Sequence, residues 1–530
     1  MKDKINNFNL QVFLLSIVII LSVVSRFSFS ITSTSVILLL LLIPTLFIFN
    51  NYKLSFLEFI IPAAAFICVS IISLYSADCQ INVRNSLFML FSSILAGINM
   101  SFVPFNLRKK LFIVPIFIAL WLAMVIFTRF VTNIDGFFSG DNFFEMFAIN
   151  INVIAGFLLL IYPLLYIYIK EEDFKTSKIY IFIALFILLA ICITKSRSAI
   201  FLSFVATLFF LFEYKKNIYI KILTAIVSIA LISLIVYVSV LKSSSNSFSD
   251  RLIWWQTAYL IFKQHILFGC GFCNYSVLFK TFRPELVVNT LYAHNIIFQL
   301  LADTGVMGLG CFGWIIFSFY KKIIHEIKNG SDKIYFKAIA VSITLFLLLN
   351  LDDYSFFIPA NMLVFFVLFS SVFTVNFEKL KKQKVNNIIL VLIFIIITIT
   401  VIKPVIAERY YKIGLDYYSS KRYFLANEYF QKAIIFDNKN SQYYYQLSNG
   451  NFSIFDLDRK NNILYAQAAI ENTKQALKYY KNSGQLWANL AILYWNIDDK
   501  ENAIKYIKQA LIYDKFNYYY EEYYDKITNS

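Results

Sequence analysis

Two arginines and one histidine lie where long apolar stretches of this sequence begin or end. Arg197 follows an apolar run within Thr194-Lys-Ser-Arg197-Ser, Arg251 opens an aromatic-rich segment, and His294 stands at the start of a further apolar run. A guanidinium group binds phosphate through two charge-assisted hydrogen bonds in fixed geometry and keeps its charge. A pair of such groups suits a diphosphate, so these positions are candidates for a phosphate-binding site.

The apolar segment after His294 carries polar side chains at a helical spacing. Asn295, Gln299 and Asp303 are four residues apart, so a helix that opens at 293–295 stacks them on one face. Polar side chains on a membrane helix cost free energy unless they face a cavity or a partner. The row therefore predicts a site, with His294 in the first turn of the helix.

The composition indicates an integral membrane protein. The 530 residues are 59% hydrophobic and only 15% charged, and the mean hydropathy of +0.66 lies far outside the range of a soluble globular domain. The net charge of +16 is distributed over short loops between apolar runs rather than in one patch. This distribution favours membrane topology over nucleic acid as the explanation of the positive charge.

About thirteen apolar runs have near the length that a bilayer requires. They cover residues 8–25, 31–49, 54–75, 86–105, 111–131, 147–169, 178–194, 198–214, 218–241, 294–318, 335–351, 357–375 and 387–403. The first run lacks a convincing small-residue cleavage site, which makes it a span rather than a signal peptide. We therefore predict an all-α, polytopic transmembrane bundle of about 12–13 spans.

The loops between these runs predict the orientation. Lysine and arginine concentrate in alternate loops, so the positive-inside rule places the N-terminus in the cytoplasm. An odd number of spans then places the C-terminus and the large loop 242–293 on the outer side of the membrane. His294 follows that loop and would face the same side.

Residues 405–530 form a second region, in which small and aromatic residues recur. Apolar runs stop after Pro404, and three sets of residues keep one internal spacing, the second 43 residues after the first and 34 before the third. The sets are Gly414, Tyr417, Ala426, Phe430 and Ala433; Ala469, Thr473 and Ala476; and Ala491, Tyr494, Ala503, Ile507 and Ala510. A 34-residue period with small residues where two helices cross resembles the tetratricopeptide repeat.

We therefore predict two domains, a transmembrane domain over 1–404 and an extracytoplasmic module of about three helical repeats over 405–530. Such repeats stack into a superhelix whose concave face binds partners. An ordinary helical tail is the alternative for this region.

Four short motifs occur in order along the chain: Asn152-Val-Ile-Ala155-Gly156, Thr194-Lys-Ser-Arg197-Ser, the segment from Arg251 to Gly271, and the segment from Ala293-His294-Asn295 to Gly305. In this order they resemble the motifs of the O-antigen ligase and polymerase family of bacterial membrane glycosyltransferases. The resemblance covers roughly residues 145–375. The sequence departs from the usual family residues, which are proline, a small residue and glutamate, at Ile266, Cys273 and Asp303.

The resemblance implies transfer of a glycan from an undecaprenyl-diphosphate carrier to an acceptor hydroxyl, without metal, cofactor or nucleotide. Arg197 and Arg251 would hold the diphosphate as charge builds on it in a partly dry site. His294, with an ordinary pKa of about 6.5, would act as general base on the acceptor hydroxyl. Four further residues would bind the substrate or orient the histidine: Asn152, Asn295, Gln299 and Asp303.

Within this family the reaction has three versions: ligation of a finished chain, polymerisation of repeat units, and transfer of oligosaccharide to protein. The implied partners are the lipid-linked donor, a glycan, lipid or protein acceptor, membrane lipids and a protein bound by the repeats. The implied location is the bacterial inner membrane. A transporter for a lipid-linked sugar and a membrane-anchored scaffold are the alternatives from other classes.

Each candidate residue also has a structural interpretation. Arg197 at a helix end can extend to the lipid headgroups, Arg251 can anchor a helix in the interface, and His294 can bond to backbone at a helix start. Asp352 and Asp353, at the outer end of a predicted span, can be solvated in the interface or touch sugar hydroxyls.

The spacing of Cys270 and Cys273 leaves two interpretations open. The thiols can form a local disulfide in the outer loop, or the residues can be small loop residues near glycine. No second cysteine pair or histidine cluster in the sequence completes a zinc site around them.

Overall fold

The computed structural model describes residues 2–25, 31–51, 57–134, 150–171, 173–214, 246–373 and 387–529. Within these ranges the chain is helical and forms no strand, which confirms the predicted fold class. The helices are α1 (Lys2–Val24), α2 (Ile31–Asn51), α3 (Leu57–Ile72), α4 (Gln80–Ser101), α5 (Phe105–Thr132), α6 (Ile151–Ile161), α7 (Leu165–Glu171), α8 (Phe174–Ile193), α9 (Arg197–Tyr214), α10 (Asn246–Gln264), α11 (Tyr275–Phe282), α12 (Ile296–Asn329), α13 (Lys333–Leu349), α14 (Pro359–Ser370), α15 (Asn387–Ser419), α16 (Tyr423–Phe436), α17 (Ser441–Leu457), α18 (Ile463–Tyr479), α19 (Gly484–Trp495), α20 (Lys500–Tyr513) and α21 (Tyr518–Asn529). Short 3₁₀ turns cover Tyr162–Leu164 and Ser355–Phe357.

Several of these helices are apolar enough to cross a bilayer. Five segments have both the length and the composition of a span: Gln80–Ser101, Phe105–Thr132, Ile151–Glu171, Lys175–Ile193 and Ile296–Asn329. Shorter apolar helices cover Asn9–Val24, Thr32–Leu42, Glu58–Ile72 and Pro359–Ser370. The predicted run 218–241 lies outside the described residues, and the other predicted runs fall on helices. The chain is a multi-pass membrane protein, while the number of spans and their orientation stay predictions.

Helix α4 connects two ends of the membrane region. Near its start, Arg84 forms a two-pronged ion pair with Asp437, with both N–O distances 2.9 Å. Just beyond its end, Lys109 pairs with Glu171 at 2.6 Å and with Asp332 at 3.3 Å. A helix of 22 residues is roughly 33 Å long, about the thickness of a bilayer core. Three of the loops predicted to be cytoplasmic, those that carry Lys109, Glu171 and Asp332, therefore meet at one end of α4, and the first repeat contacts its other end.

Helix α14 is buried at the centre of the membrane region. It packs closely against α4 at Gly97, where an added Cβ would lie 2.5 Å from Ser370 Oγ. The buried Arg108 lies at the C-terminal ends of α4 and α14, where its guanidinium donates to the carbonyls of Ser101 (2.8 Å) and Ser371 (2.5 Å). Carbonyls at helix C-termini carry partial negative charge, so they compensate the buried cation.

Helix α12 is interrupted at Gly305, which has φ 64° and ψ −166°. This region of backbone space is open essentially to glycine alone. The segment 266–271 fits against the break through four backbone hydrogen bonds: Val306 N to Ile266 O (2.9 Å), Met307 N to Leu267 O (3.2 Å), Cys270 N to Ala302 O (2.9 Å) and Gly271 N to Asp303 O (2.9 Å). The segment thus satisfies the backbone groups that the break releases, as a membrane protein requires.

The last seven helices pack as hairpins. Helix α15 packs against α16, α17 against α18 and α19 against α20, and α21 closes the array. The small residues that define the predicted repeat are fully buried where the paired helices cross: Ala426, Ala433, Ala469, Ala476, Ala503 and Ala510. At Gly414, an added Cβ would lie 2.6 Å from the ring of Phe430. The predicted helical repeats are confirmed by this packing.

Helix α15 runs without a break through the predicted domain boundary. It includes Pro404 and continues from the last predicted span into the first repeat. The division between residues 404 and 405 stays a prediction, but a continuous helix rather than a loop joins the two regions.

Candidate active site

The loop 350–355, which follows α13, connects the elements that carry the candidate residues. Its Asn350 carbonyl accepts a hydrogen bond from the first amide of α12, Ile296 N, at 2.8 Å. At the end of the loop, Ser355 Oγ lies 3.5 Å from the Asn152 carbonyl in the first turn of α6. The N-terminal ends of α6 and α12 therefore meet at this loop.

Asp352 in the same loop connects two further helices. Its Oδ1 accepts a hydrogen bond from Arg251 Nη1 of α10 at 2.7 Å, and its Oδ2 accepts one from Ser198 Oγ of α9 at 2.9 Å. Ser198 directly follows Arg197, the first residue of α9, whose side chain is exposed. One carboxylate thus brings Arg251 to the helix end that carries Arg197.

His294 lies between two aromatic rings beside this carboxylate loop. Its imidazole is 4.5 Å from the ring centre of Trp254 in α10 and 4.6 Å from that of Tyr354 in the loop. Among the described residues, no group forms a hydrogen bond with its buried Nδ1. Burial, reinforced by the positive charge of Arg251, lowers the pKa of His294 to about 3. The imidazole is therefore neutral at neutral pH, with one ring nitrogen able to accept a proton.

The start of α12 differs from the prediction. The helix begins at Ile296, and His294 precedes it with φ 53°, so His294 does not lie in the first turn. Asn295 caps the helix, because its Oδ1 accepts hydrogen bonds from the amides of Ile297 (2.9 Å) and Phe298 (3.2 Å). The left-handed backbone at His294 is not helical, so the helix starts only after this residue.

The polar row on α12 faces protein. Gln299 and Asp303 are fully buried, and Gln299 Nε2 donates to Asp303 Oδ2 at 2.7 Å. Gln299 Oε1 also accepts from the amide of Ala293 at 2.6 Å, while Asp303 accepts from the amides of Cys273 (2.9 Å) and Tyr275 (3.0 Å). The polar groups of this row are therefore satisfied by other protein groups and not by a cavity. Through Gln299 the row also holds Ala293, the residue before His294.

Asn295 and Asn152 complete the predicted set. The Nδ2 of Asn295 donates to the Leu351 carbonyl at 2.8 Å, so this side chain ties the start of α12 to the loop 350–355. Asn152 is half-buried in the first turn of α6, and its amide donates to the side chain of the capping residue Asn150 at 3.0 Å. Every predicted site residue therefore belongs to one connected region, although substrate contact by any of them stays a prediction.

The residues that join the site together were not predicted to do so. Asp352 is separated from Arg251 by 101 positions, and the sequence offered solvation in the interface or contact with sugar hydroxyls as its roles. Trp254 and Tyr354 hold His294, yet aromatic residues are so frequent in this chain that their spacing carries no signal. The sequence signal that could have identified Asp352 is its position at the outer end of a predicted span.

The thiols of Cys270 and Cys273 are free and buried in the structure. Burial raises the pKa of both thiols well above its ordinary value. The structure agrees with the interpretation as small loop residues rather than as a local disulfide.

Residues 182–313 match a family model described as O-antigen ligase. The matched segment contains Arg197, Arg251 and His294, and it confirms the family resemblance for this part of the chain. The match supports a membrane glycosyltransferase of ligase or polymerase type. No curated protein matches the sequence of this chain.

Solved structures similar to this chain include several tetratricopeptide-repeat domains. The Arabidopsis OM64 TPR domain has 14% identity and a TM-score of 0.22, covering 24% of this chain and 98% of its own. The first TPR domain of human RPAP3 has 15% identity and a TM-score of 0.22, covering 24% of this chain and 92% of its own. Another similar structure, that of MamA, has 20% identity and a TM-score of 0.21, covering 25% of this chain and 75% of its own. The evidence for repeats in this chain is the packing of its own helices α15–α20 into hairpins.

Proposed function

We propose that this protein is an O-antigen ligase-type glycosyltransferase. It moves a glycan from undecaprenyl diphosphate to an acceptor hydroxyl at the outer face of the bacterial inner membrane. The observation that carries the proposal is the carboxylate of Asp352, which joins Arg251 and the start of α9 beside His294. A guanidinium group beside a neutral imidazole, with a second guanidinium at the start of the neighbouring helix α9, suits transfer from a diphosphate to a hydroxyl.

In the proposed reaction the acceptor oxygen attacks the anomeric carbon of the donor glycan. The bond between that carbon and the phosphate oxygen breaks, and its electron pair leaves with the diphosphate. Arg197 and Arg251 hold the leaving group, whose negative charge grows as the bond breaks. The acceptor proton goes to His294, and attack from the face opposite the diphosphate inverts the anomeric configuration.

The low pKa of His294 is compatible with its role as a base once the donor is bound. Burial is the main cause of the lowered pKa, and the positive charge of Arg251 lowers it further. A diphosphate bound to Arg251 compensates that charge, so it removes the second of these effects and raises the pKa of His294. Donor binding thus prepares the imidazole to accept a proton.

The buried polar row has a positioning role in this proposal. Gln299 holds the amide of Ala293, and Asn295 caps α12 and bonds the loop 350–355. Asp303 fixes Gln299 and the turn at 273–275. Asn152, at the start of α6, is the member of the predicted set that we propose as a substrate contact.

A His294→Ala substitution tests the proposal, with His325→Ala as its control because His325 is exposed at the far end of α12. We expect His294→Ala to abolish surface glycan maturation at normal protein abundance. We expect His325→Ala to leave glycan maturation unchanged. Normal glycan from abundant His294→Ala protein contradicts the proposal.

Gel analysis of surface polysaccharide after gene deletion separates the versions of the reaction. Loss of capped lipid indicates a ligase, products with a single repeat unit indicate a polymerase, and altered glycoproteins indicate transfer to protein. Unchanged transfer with an altered distribution of the lipid-linked sugar across the membrane indicates a transporter.

A further inference from the structure

The repeat region docks on the membrane region through one equivalent position in each repeat. Helices α16, α18 and α20 are each followed by a C-cap residue with nearly the same backbone angles: Asp437, Tyr480 and Asp514. Asp437 pairs with Arg84, Tyr480 forms an antiparallel bridge with Cys79, and Asp514 pairs with Arg283. These C-cap residues recur with the period of the repeat, so the docking edge is built into the repeat itself.

The third of these contacts is the most buried. Arg283 and Asp514 are each 4% exposed, and Arg283 Nη2 donates to Asp514 Oδ1 at 2.8 Å. The Arg283 guanidinium lies over the ring of Phe516, 5.4 Å from its centre, and Thr281 Oγ1 donates to the Tyr513 carbonyl at 3.1 Å. A buried ion pair that loses one member leaves an uncompensated charge, so this contact resists separation.

Arg283 also binds the irregular segment 285–293, which leads to His294. Its Nη1 donates to Asn289 Oδ1 at 3.2 Å and lies 3.4 Å from the Val287 carbonyl. The next carbonyl, that of Val288, accepts a hydrogen bond from Trp254 Nε1 at 3.1 Å. Trp254 in turn packs on the imidazole. A continuous series of contacts therefore joins the third repeat to His294.

The first contact has no such connection. Arg84 belongs to α4, and its described side-chain bonds go to Asp437 and to Asn85. Asp437 and Asp514 occupy the same position in their repeats and both bind an arginine of the membrane region. They differ in whether that arginine reaches the segment before His294, which makes Asp437 a matched control for Asp514.

We propose that Asp514 is a positioning residue for His294, acting through Arg283 and the segment 285–293. The repeat region is then part of the active-site scaffold as well as a surface for partners. The consequence for catalysis rests on the proposed function, whereas the mechanical link does not.

The test compares Asp514→Asn with Asp437→Asn in the full-length protein in detergent or nanodiscs. Hydrogen–deuterium exchange in 285–293, where the amides of Tyr292 and Ala293 donate to Thr290 Oγ1 and Gln299 Oε1, measures the link without reference to activity. We expect at least about tenfold faster exchange there in Asp514→Asn and wild-type exchange in Asp437→Asn, because charge-assisted hydrogen bonds are the stronger ones. Unchanged exchange, or an equal rise in both variants, overturns the proposal.

Steady-state transfer with a lipid-linked donor then tests the catalytic consequence. A misplaced catalytic group costs up to about 10²-fold in rate, so we expect kcat to fall at least about tenfold in Asp514→Asn with KM within about twofold of wild type. Asp437→Asn keeps wild-type kcat. Faster exchange with unchanged kcat overturns the positioning role. Activity retained by His294→Ala instead overturns the proposed function and leaves the exchange result standing.

Arg283→Lys supplies a second variant if Asp514→Asn fails to accumulate. Lysine keeps the charge for Asp514 but lacks the planar fork that reaches Asp514 and Asn289 together. We expect the faster exchange in 285–293 and the lower kcat with the repeat region still docked. Wild-type exchange in this variant contradicts the proposal.

Discussion

The break in α12 gives a sharp prediction for Gly305→Ala. Gly305 has φ 64°, and an added Cβ would lie 2.4 Å from the Leu267 carbonyl oxygen and 2.5 Å from that of Ile266. Real Cβ atoms do not approach backbone oxygens so closely, so the segment 266–271 has to move away from the helix. The substitution therefore affects both the backbone conformation and the segment that fits against it.

The magnitude follows from the contacts at the break. An L-residue in this region of backbone space costs about 1–3 kcal/mol. The displaced carbonyls of Ile266 and Leu267 also lose hydrogen bonds from Val306 and Met307, worth about 0.5–1.5 kcal/mol each. We expect Gly305→Ala to lower the free energy of unfolding by roughly 2–6 kcal/mol, the range of these contributions together.

Gly310→Ala is the control for this experiment. Gly310 lies in the same helix with nothing within 4 Å of an added Cβ, so the change gains about 0.5–1 kcal/mol of helix propensity. Denaturant titration of both purified variants in detergent, followed by tryptophan fluorescence, measures the difference. A Gly305→Ala protein as stable as Gly310→Ala refutes the assignment of the break to glycine geometry.

Two further predictions concern the site. Asp352→Asn removes the charge that holds Arg251 and Ser198. We expect transfer to fall up to about fivefold at normal protein abundance, since a partly exposed ion pair is worth up to about 1 kcal/mol, and wild-type transfer counts against the carboxylate as organiser. The pKa of His294 is about 3 in the folded protein and about 6.5 in the unfolded chain, so the unfolded state binds more protons in between and stability falls on acidification from pH 6.5 towards 3. Unfolding titrations between pH 7 and 4 should show a smaller loss for His294→Gln than for wild type, and equal losses contradict the burial of a neutral imidazole.

Hydropathy and repeat spacing predicted much of the fold because both are local properties of the chain. The apolar runs fall on helices wherever the structure describes them, and Ala426, Ala469 and Ala503 are buried at helix crossings. The exact helix starts were harder to predict. Asn295 caps α12 rather than lying within it, because an asparagine side chain satisfies the first free amides better than another turn would.

The composition of the site could be predicted only in part. The spacing of Gln299 and Asp303 showed that they need a partner or a cavity, but not which, since the turn at 273–275 approaches them only in the folded chain. The link between Arg251 and Asp352 likewise depends on packing between distant segments. Single-residue chemistry identified the candidate groups, and tertiary contacts decide how they are held.

The uninterrupted helix α15 fixes the rotation of the repeat region about the helix axis, relative to the membrane region. One inserted residue advances an α-helix by about 1.5 Å and turns it by about 100°. An insertion between Pro404 and Ser419 would thus turn the repeats as a unit relative to the membrane region and carry Asp437, Tyr480 and Asp514 away from Arg84, Cys79 and Arg283. Chimeras that exchange the repeats between such proteins must preserve the residue count across this helix, whereas the tips of the later hairpins tolerate changes of length.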